Sequence, residues 1–192
     1  MLIALVMTFA NNVSAITNAN FKALTTQGCS PFIVLLFDSS SSNHTIVARK
    51  WVITDAAGDT VYQDNTNKTT IGTNLVDSGS YTISLFACNR LGECDYISKT
   101  GYVRVRARPI IRFNFSTMGG CPPLNVNFTC NSLSGCGTLD TVTIDYKNGI
   151  VESFPACGTY STTYSNPGSY RPTIYIKNSC GCFADSTWAV SY

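Results

Sequence analysis

Phe21-Lys22-Ala23, followed by Gly28-Cys29-Ser30-Pro31, recurs as Phe113-Asn114-Phe115, followed by Gly120-Cys121-Pro122-Pro123, with the same offsets between the marks. Asp77-x-Gly79-x-Tyr81 then recurs as Asn166-x-Gly168-x-Tyr170, and Asn89…Gly92-x-Cys94 as Asn178…Gly181-Cys182. Two copies of one unit therefore follow a short apolar N-terminus. The expected organisation is a segment at 1–18, a first domain at 19–107 and a second at 108–192.

Each copy reads as a β-sandwich. In the second, Leu124, Val126 and Phe128 alternate with Asn125, Asn127 and Thr129; in the first, Tyr81, Ile83, Leu85 and Ala87 alternate with Ser80, Thr82 and Ser84. A period of two gives a strand with one face inward and one wet. No stretch sustains a helical period. The Asp77-x-Gly79-x-Tyr81 corner matches the immunoglobulin-type tyrosine corner, whose phenol bonds back to an upstream backbone group. Pro172 falls where a central strand should run, so that strand must start late or carry a bulge. The fold class is all-β, two tandem Ig-like sandwiches behind an apolar N-terminal arm.

Composition narrows the function classes. Of 192 residues only 12% are charged, and the net charge is +2. No basic field is available to gather nucleic acid. Nine cysteines suggest an oxidising compartment and a disulfide framework, hence an extracellular or cell-surface protein. Zinc fails on ligand chemistry, because Cys180-x-Cys182 and Cys130…Cys136 lack C-x2-C spacing and the single histidine is His44. No metal, cofactor or catalytic residue is expected. His44 has no placed carboxylate or nucleophile beside it. Asp55 with Asp59, or Asp145 with Asn148, could offer oxygens to calcium, but they read first as turn formers bonding their own backbone.

The order Phe…Gly-Cys-x-Pro…Trp51-x-Ile53-x-Asp55…Gly58-Asp59…Gly-Ser-Tyr…Asn-x-x-Gly-x-Cys resembles the PKD (polycystic kidney disease) family of Ig-like domains. Asp145-Tyr146-Lys147-Asn148-Gly149 stands where that family often carries Asp-Phe-Gly-Asp-Gly; the turn is degraded in copy one and the Trp is lost in copy two. The resemblance covers about 19–192. It implies surface proteins, adhesins and fibres, or spacers beside carbohydrate-active enzymes.

Matching positions in the two copies suggest the disulfides Cys29–Cys94 and Cys121–Cys182. Cys136 with Cys157 and Cys130 with Cys180 would complete the set, although connectivity is not readable from spacing. Cys88 is then left over, as a small buried thiol or an intermolecular bridge.

One strand differs between the copies. Copy two alternates, whereas copy one reads Phe32-Ile33-Val34-Leu35-Leu36-Phe37. If Phe32, Val34 and Leu36 face inward, then Ile33, Leu35 and Phe37 face outward, a patch that monomers avoid. The run Met1–Ala10 is too short to span a bilayer. It is signal-like, with Val13-Ser14-Ala15 behind it but no basic n-region, or it is an apolar arm whose Leu2, Ile3, Leu5, Val6 and Phe9 cover that patch. Donated as a strand to the next molecule, such an arm makes a head-to-tail homo-oligomer. The alternatives are covering by the chain itself, and an adhesin, carbohydrate-binding module or spacer of a larger secreted protein. In that reading Tyr62, Tyr160 and Tyr164 would touch glycan.

Arg104, Arg106 and Arg108 share one strand face and read first as a solvated edge that resists unwanted pairing, with an anionic-glycan or subunit contact as the alternative. Asn12, Asn43, Asn67, Asn114 and Asn127 open Asn-x-Ser/Thr triplets, at a number close to chance, and are glycosylation candidates.

Overall fold

The structure, a computed structural model, describes residues 16–188 and 190–191. All regular elements among them are strands. The chain divides into two compact units: one gathers the described residues up to 24 with 35–73 and 81–102, the other 25–34, 74–80 and 103 onward. The division does not follow chain order; it cuts through Phe32–Asp38, Thr70–Leu75, Gly79–Asn89 and Cys94–Arg106.

Copy one of the repeat builds two main sheets, and Thr17–Asn18 with Ser41–Ser42 forms a further two-stranded pair, as Ser169–Tyr170 with Val190–Ser191 does in copy two. The first is ordered Phe21–Ala23, Phe32–Asp38, Thr70–Leu75, and the second Gln27–Cys29, Cys94–Arg106, Gly79–Asn89, Ile46–Thr54, Thr60–Asp64. Alternation does what the pattern requires. Val34, Leu36, Trp51, Ile53, Ile83, Leu85 and Ala87 are fully buried. The Phe21 ring meets Trp51 edge-on at 5.5 Å, and the Trp51 indole N–H donates to the Lys68 carbonyl at 3.0 Å. The largest apolar side chain thus buries its polar atom with a partner. Gly28 has a local reason: a Cβ there would collide with the Phe32 ring unless that ring moved.

Copy two repeats the plan. Phe113–Phe115, Leu124–Cys130 and Thr159–Tyr164 form one sheet; Val151–Phe154, Leu139–Asp145, Thr173–Asn178 and Phe183–Thr187 form the other. Its core holds Val126, Phe128, Val142, Ile144, Tyr146, Tyr164, Ile174 and Ile176. The central strand starts late, at Thr173, and Pro172 stays outside its ladder. The tyrosine corner is present here, with the Tyr170 hydroxyl donating to the Asn166 carbonyl at 3.0 Å. Buried Tyr146 donates to Glu152 at 3.1 Å; burial first, and then that carboxylate, pushes its phenol well above the ordinary range.

Two buried asparagines organise the matching hairpin turns. Asn89 Oδ1 accepts from the N–H groups of Leu91 (2.9 Å) and Glu93 (3.1 Å), and Asn178 Oδ1 accepts from Cys182 N–H at 2.9 Å. The turns therefore match Glu93, not Cys94, with Cys182.

The disulfides depart from expectation. They are Cys29–Cys182, Cys88–Cys94, Cys130–Cys157 and Cys136–Cys180, leaving Cys121 free and exposed. Cys29–Cys94 is excluded by strand length. Gln27–Cys29 runs parallel to the far end of Cys94–Arg106, with Cys29 opposite Arg106. Cys94 opens that 13-residue strand, about 40 Å away at about 3.3 Å per residue, far beyond disulfide reach. Cys182 is taken by Cys29, at a Cα separation of 5.7 Å, so Cys121 cannot have it. Cys88 is not left over: a hairpin brings it to Cys94, with Cα atoms 4.0 Å apart. Cys130 sits beside the Thr129↔Thr159 pair and donates its N–H to Gly158 O at 2.9 Å, which delivers Cys157 rather than Cys180.

Trp51 supplies the test of this packing. Trp51→Ala should destabilise the protein by about 3–5 kcal/mol in chemical denaturation, whereas Trp51→Phe should lose less. Equal, small losses for both would show that the indole is not the centre of that core.

Candidate functional site

The expected assembly face lies on Phe32–Asp38. Ile33 is 67% exposed, Leu35 36%, and Phe37 is half-buried, while Val34 and Leu36 are sealed inside. In the first unit, Leu24, itself 67% exposed, joins Phe37, Ala23 and Lys22 around an open groove of about 390 Å³. Leu2, Ile3, Leu5, Val6 and Phe9 lie outside the described residues. Phe32–Asp38 has a neighbour at each edge, Phe21–Ala23 and Thr70–Leu75. Its backbone cannot accept a donated strand; among the described residues the outer edge of Thr70–Leu75 is open in that sheet.

A second feature stands on the outward face of the five-stranded sheet, in the first unit. Lys50 and Val52 sit in register with Phe86 and Ser84, and with Tyr96 they line an open groove of about 380 Å³. The Tyr96 hydroxyl donates to Ser84 Oγ at 3.0 Å, and Ser84 donates to Ser98 at 3.0 Å. Stabilisation of the ionised oxygen by the hydroxyl of Ser84 first, and then that of Ser98, holds the phenol below its ordinary value. The outward continuation of Ser80, Thr82 and Ser84 to Phe86 is the sequence signal for this face. Tyr62, Tyr160 and Tyr164, expected to touch glycan, are engaged within the fold. Tyr164 is fully buried and donates to Tyr146 O at 3.0 Å, Tyr160 stacks on Phe154 at 3.8 Å, and Tyr62 donates to Asp64 at 3.3 Å.

The arginine stripe is not a solvated edge throughout. Inside the second unit Arg106 donates to Cys180 O (2.9 Å) and Gln27 Oε1 (2.7 Å), and Arg108 donates to Ser30 O (2.6 Å) and Phe183 O (2.9 Å) while lying over the Phe183 ring. Arg104 is exposed. Arg106 and Arg108 thus bond mainly to backbone carbonyls.

The carboxylates behave as turn formers. Asp55 Oδ1 accepts from Ala57 and Asp59 N–H groups, both at 2.9 Å, and Asp145 pairs with Lys147. Among the described residues no acidic, histidine or cysteine group is arranged to hold a metal ion. No helix of the described chain is long and apolar enough to cross a membrane. The acceptors Asn43, Asn67, Asn114 and Asn127 are all exposed.

Asp64 accepts from Thr66 Oγ1 (2.6 Å), Thr66 N–H (2.8 Å) and Lys68 (3.0 Å); these bonds, Thr66 first, hold its carboxyl well below the carboxylate range. For Asp38 burial acts upward, but Ser40 and Arg49, the latter at 2.5 Å, outweigh it and the net shift is down.

No protein-family model matches the chain, and no curated protein sequence does. Solved structures similar to it include the PKD1 domain of Vibrio anguillarum Epp, at 23% identity over 43% of this chain and 89% of that one, with a TM-score of 0.37. A two-domain fibronectin type III segment of chicken tenascin matches at 11% over 91% and 100%, TM-score 0.40. A structure from a 1.5-MDa bacterial ice-binding adhesin matches at 14% over 92% and 64%, TM-score 0.37. A PKD domain, the family that the repeat marks resemble, is thus among the structural neighbours. The architecture itself is read from the chain's own sheets.

A carboxylate depressed in the folded state stabilises the fold above its unfolded value, near pH 4, and that contribution is lost as pH falls toward the folded value. Asp64→Asn should therefore melt below the wild type at pH 7, with the gap narrowing below about pH 4. A gap of the same size at pH 7 and pH 3 would contradict the assigned role.

Proposed function

We propose that the chain is a non-catalytic structural subunit of an extracellular fibre or surface layer, in which residues 2–9 are donated onto the first sandwich of the next molecule. The observation that carries this reading is the outward side of Phe32–Asp38, where Ile33 and Leu35 stand in water and exposed Leu24 donates its N–H to Leu35 O at 3.0 Å. Burying each such side chain gains about 1.5–3 kcal/mol, and the unexplained apolar run at Leu2–Phe9 has the composition to do it. Backbone pairing falls to the open edge of Thr70–Leu75, and the side chains of the donated segment lie toward the apolar face. A head-to-tail contact that does not close on itself propagates as a fibre.

Four disulfides suit an oxidising, extracellular setting. The sparsely charged, hydroxyl-rich surface is also suited to an adhesive or spacer module, the second reading, which the Phe86–Tyr96 groove favours.

Electron microscopy of the full chain should show fibres, and the chain lacking residues 1–15 should not. Ile33→Ser with Leu35→Ser should remove them as well, while leaving the monomer folded by circular dichroism. Monodisperse particles from the full chain would overturn the assembly reading.

A further inference from the structure

We propose that the outward face of the five-stranded sheet carries a glycan-binding groove, in which Phe86 and Tyr96 stack on sugar rings and Lys50 pairs with the carboxylate of a uronic-acid residue. The inference rests on the chain being a surface-exposed extracellular module, and it does not depend on fibre formation.

The register puts these groups side by side. Lys50 is opposite Phe86 and Val52 opposite Ser84, while Trp51 and Leu85, the alternating residues, are buried on the other side of the sheet. Phe86 is 38% exposed and Tyr96 59%, on rigid strands rather than a loop. Two aromatic side chains left in water call for an apolar partner. The opening, about 380 Å³, is in the range of small-ligand sites.

Three features choose the occupant. The first is pre-organisation: the Tyr96–Ser84–Ser98 hydroxyl chain fixes the Tyr96 ring before any ligand arrives, which lowers the ordering cost of binding. The second is mixed chemistry. Flat apolar rings bordered by hydroxyls match a pyranose, which has C–H faces and an equatorial rim of hydroxyls. The third is charge. Lys50 is the single charged residue lining the groove and makes no ion pair among the described residues. A neutral sugar leaves that ammonium without a counter-charge; a uronate supplies one. A protein partner is disfavoured by size, since a groove lined by five residues offers far less than the roughly 1,000 Å² of a stable protein contact.

The test uses the full chain and four tetrasaccharides: galacturonate- and glucuronate-containing probes and their neutral galactose and glucose counterparts, titrated by calorimetry or by NMR. One or both acidic probes should bind saturably and at least tenfold more tightly than the neutral ones. Tyr96→Ala and Phe86→Ala should weaken the acidic probe at least tenfold. Lys50→Met, which keeps the aliphatic stem, should bring acidic and neutral affinities together. The melting temperature of each variant checks that it is folded. Absence of saturable binding to every probe, equal affinity for acidic and neutral probes in the wild type, or acidic binding that survives Tyr96→Ala would each overturn the proposal. The chain lacking residues 1–15 retains every groove residue, so its failure to form fibres would leave this result unchanged.

Discussion

Three residues, Gln27–Cys29, lie parallel to Arg104–Arg106 and carry Cys29 to Cys182. This pairing decides the covalent framework. The bond spans 153 residues of sequence, and on chain-entropy grounds closing such a loop contributes about 5 kcal/mol against the unfolded state. It ties the Gly-Cys-x-Pro mark of copy one to the Gly-Cys mark of copy two, shortening the covalent path between them to one bridge. Around it, in the same unit, Arg106 and Arg108 spend their guanidinium donors on the carbonyls of Cys180, Ser30 and Phe183. Charge-assisted bonds to backbone oxygens satisfy acceptors that the turns would otherwise leave open. A buried asparagine amide completes the cluster: Asn178 Nδ2 donates to Ala107 O at 3.0 Å and to Ser134 O at 2.8 Å.

With that framework in place, the surface divides by chemistry. Inner faces hold Trp51, Tyr146, Phe128 and the aliphatic strand residues, while outer faces mix hydroxyl-bearing, amide and scattered apolar side chains. Two of the exposed apolar groups line grooves on copy one. The Phe32–Asp38 face is apolar and uncharged apart from Lys22 at its border, which suits a greasy peptide segment. The Phe86–Tyr96 face is aromatic, hydroxyl-bordered and singly charged, which suits a saccharide.

Much of the fold was legible because it rests on local periodicity. The alternation in Leu124–Thr129 and Tyr81–Ala87, the corner at Tyr170 and the late strand after Pro172 follow from backbone geometry that short stretches encode. The disulfide pairing was not legible, because it depends on where a three-residue strand lies on a 13-residue one. A one-residue offset hid it further: aligning cysteine with cysteine set Cys94 against Cys182, whereas the hairpin hydrogen bonds set Glu93 there. Arg106 and Arg108 depart from the solvated edge for a related reason, while Arg104 keeps to it. Three of their four hydrogen-bond partners are backbone carbonyls, and no side-chain pattern announces a carbonyl.

The most direct measurement is disulfide mapping of the non-reduced chain by proteolysis and mass spectrometry, with free thiols alkylated beforehand. The account predicts one linked peptide pair containing Cys29 and Cys182, another containing Cys88 and Cys94, and alkylation at Cys121 alone. Recovery of Cys29 joined to Cys94, or of Cys121 joined to Cys182, would contradict the parallel pairing of Gln27–Cys29 and the covalent framework derived from it.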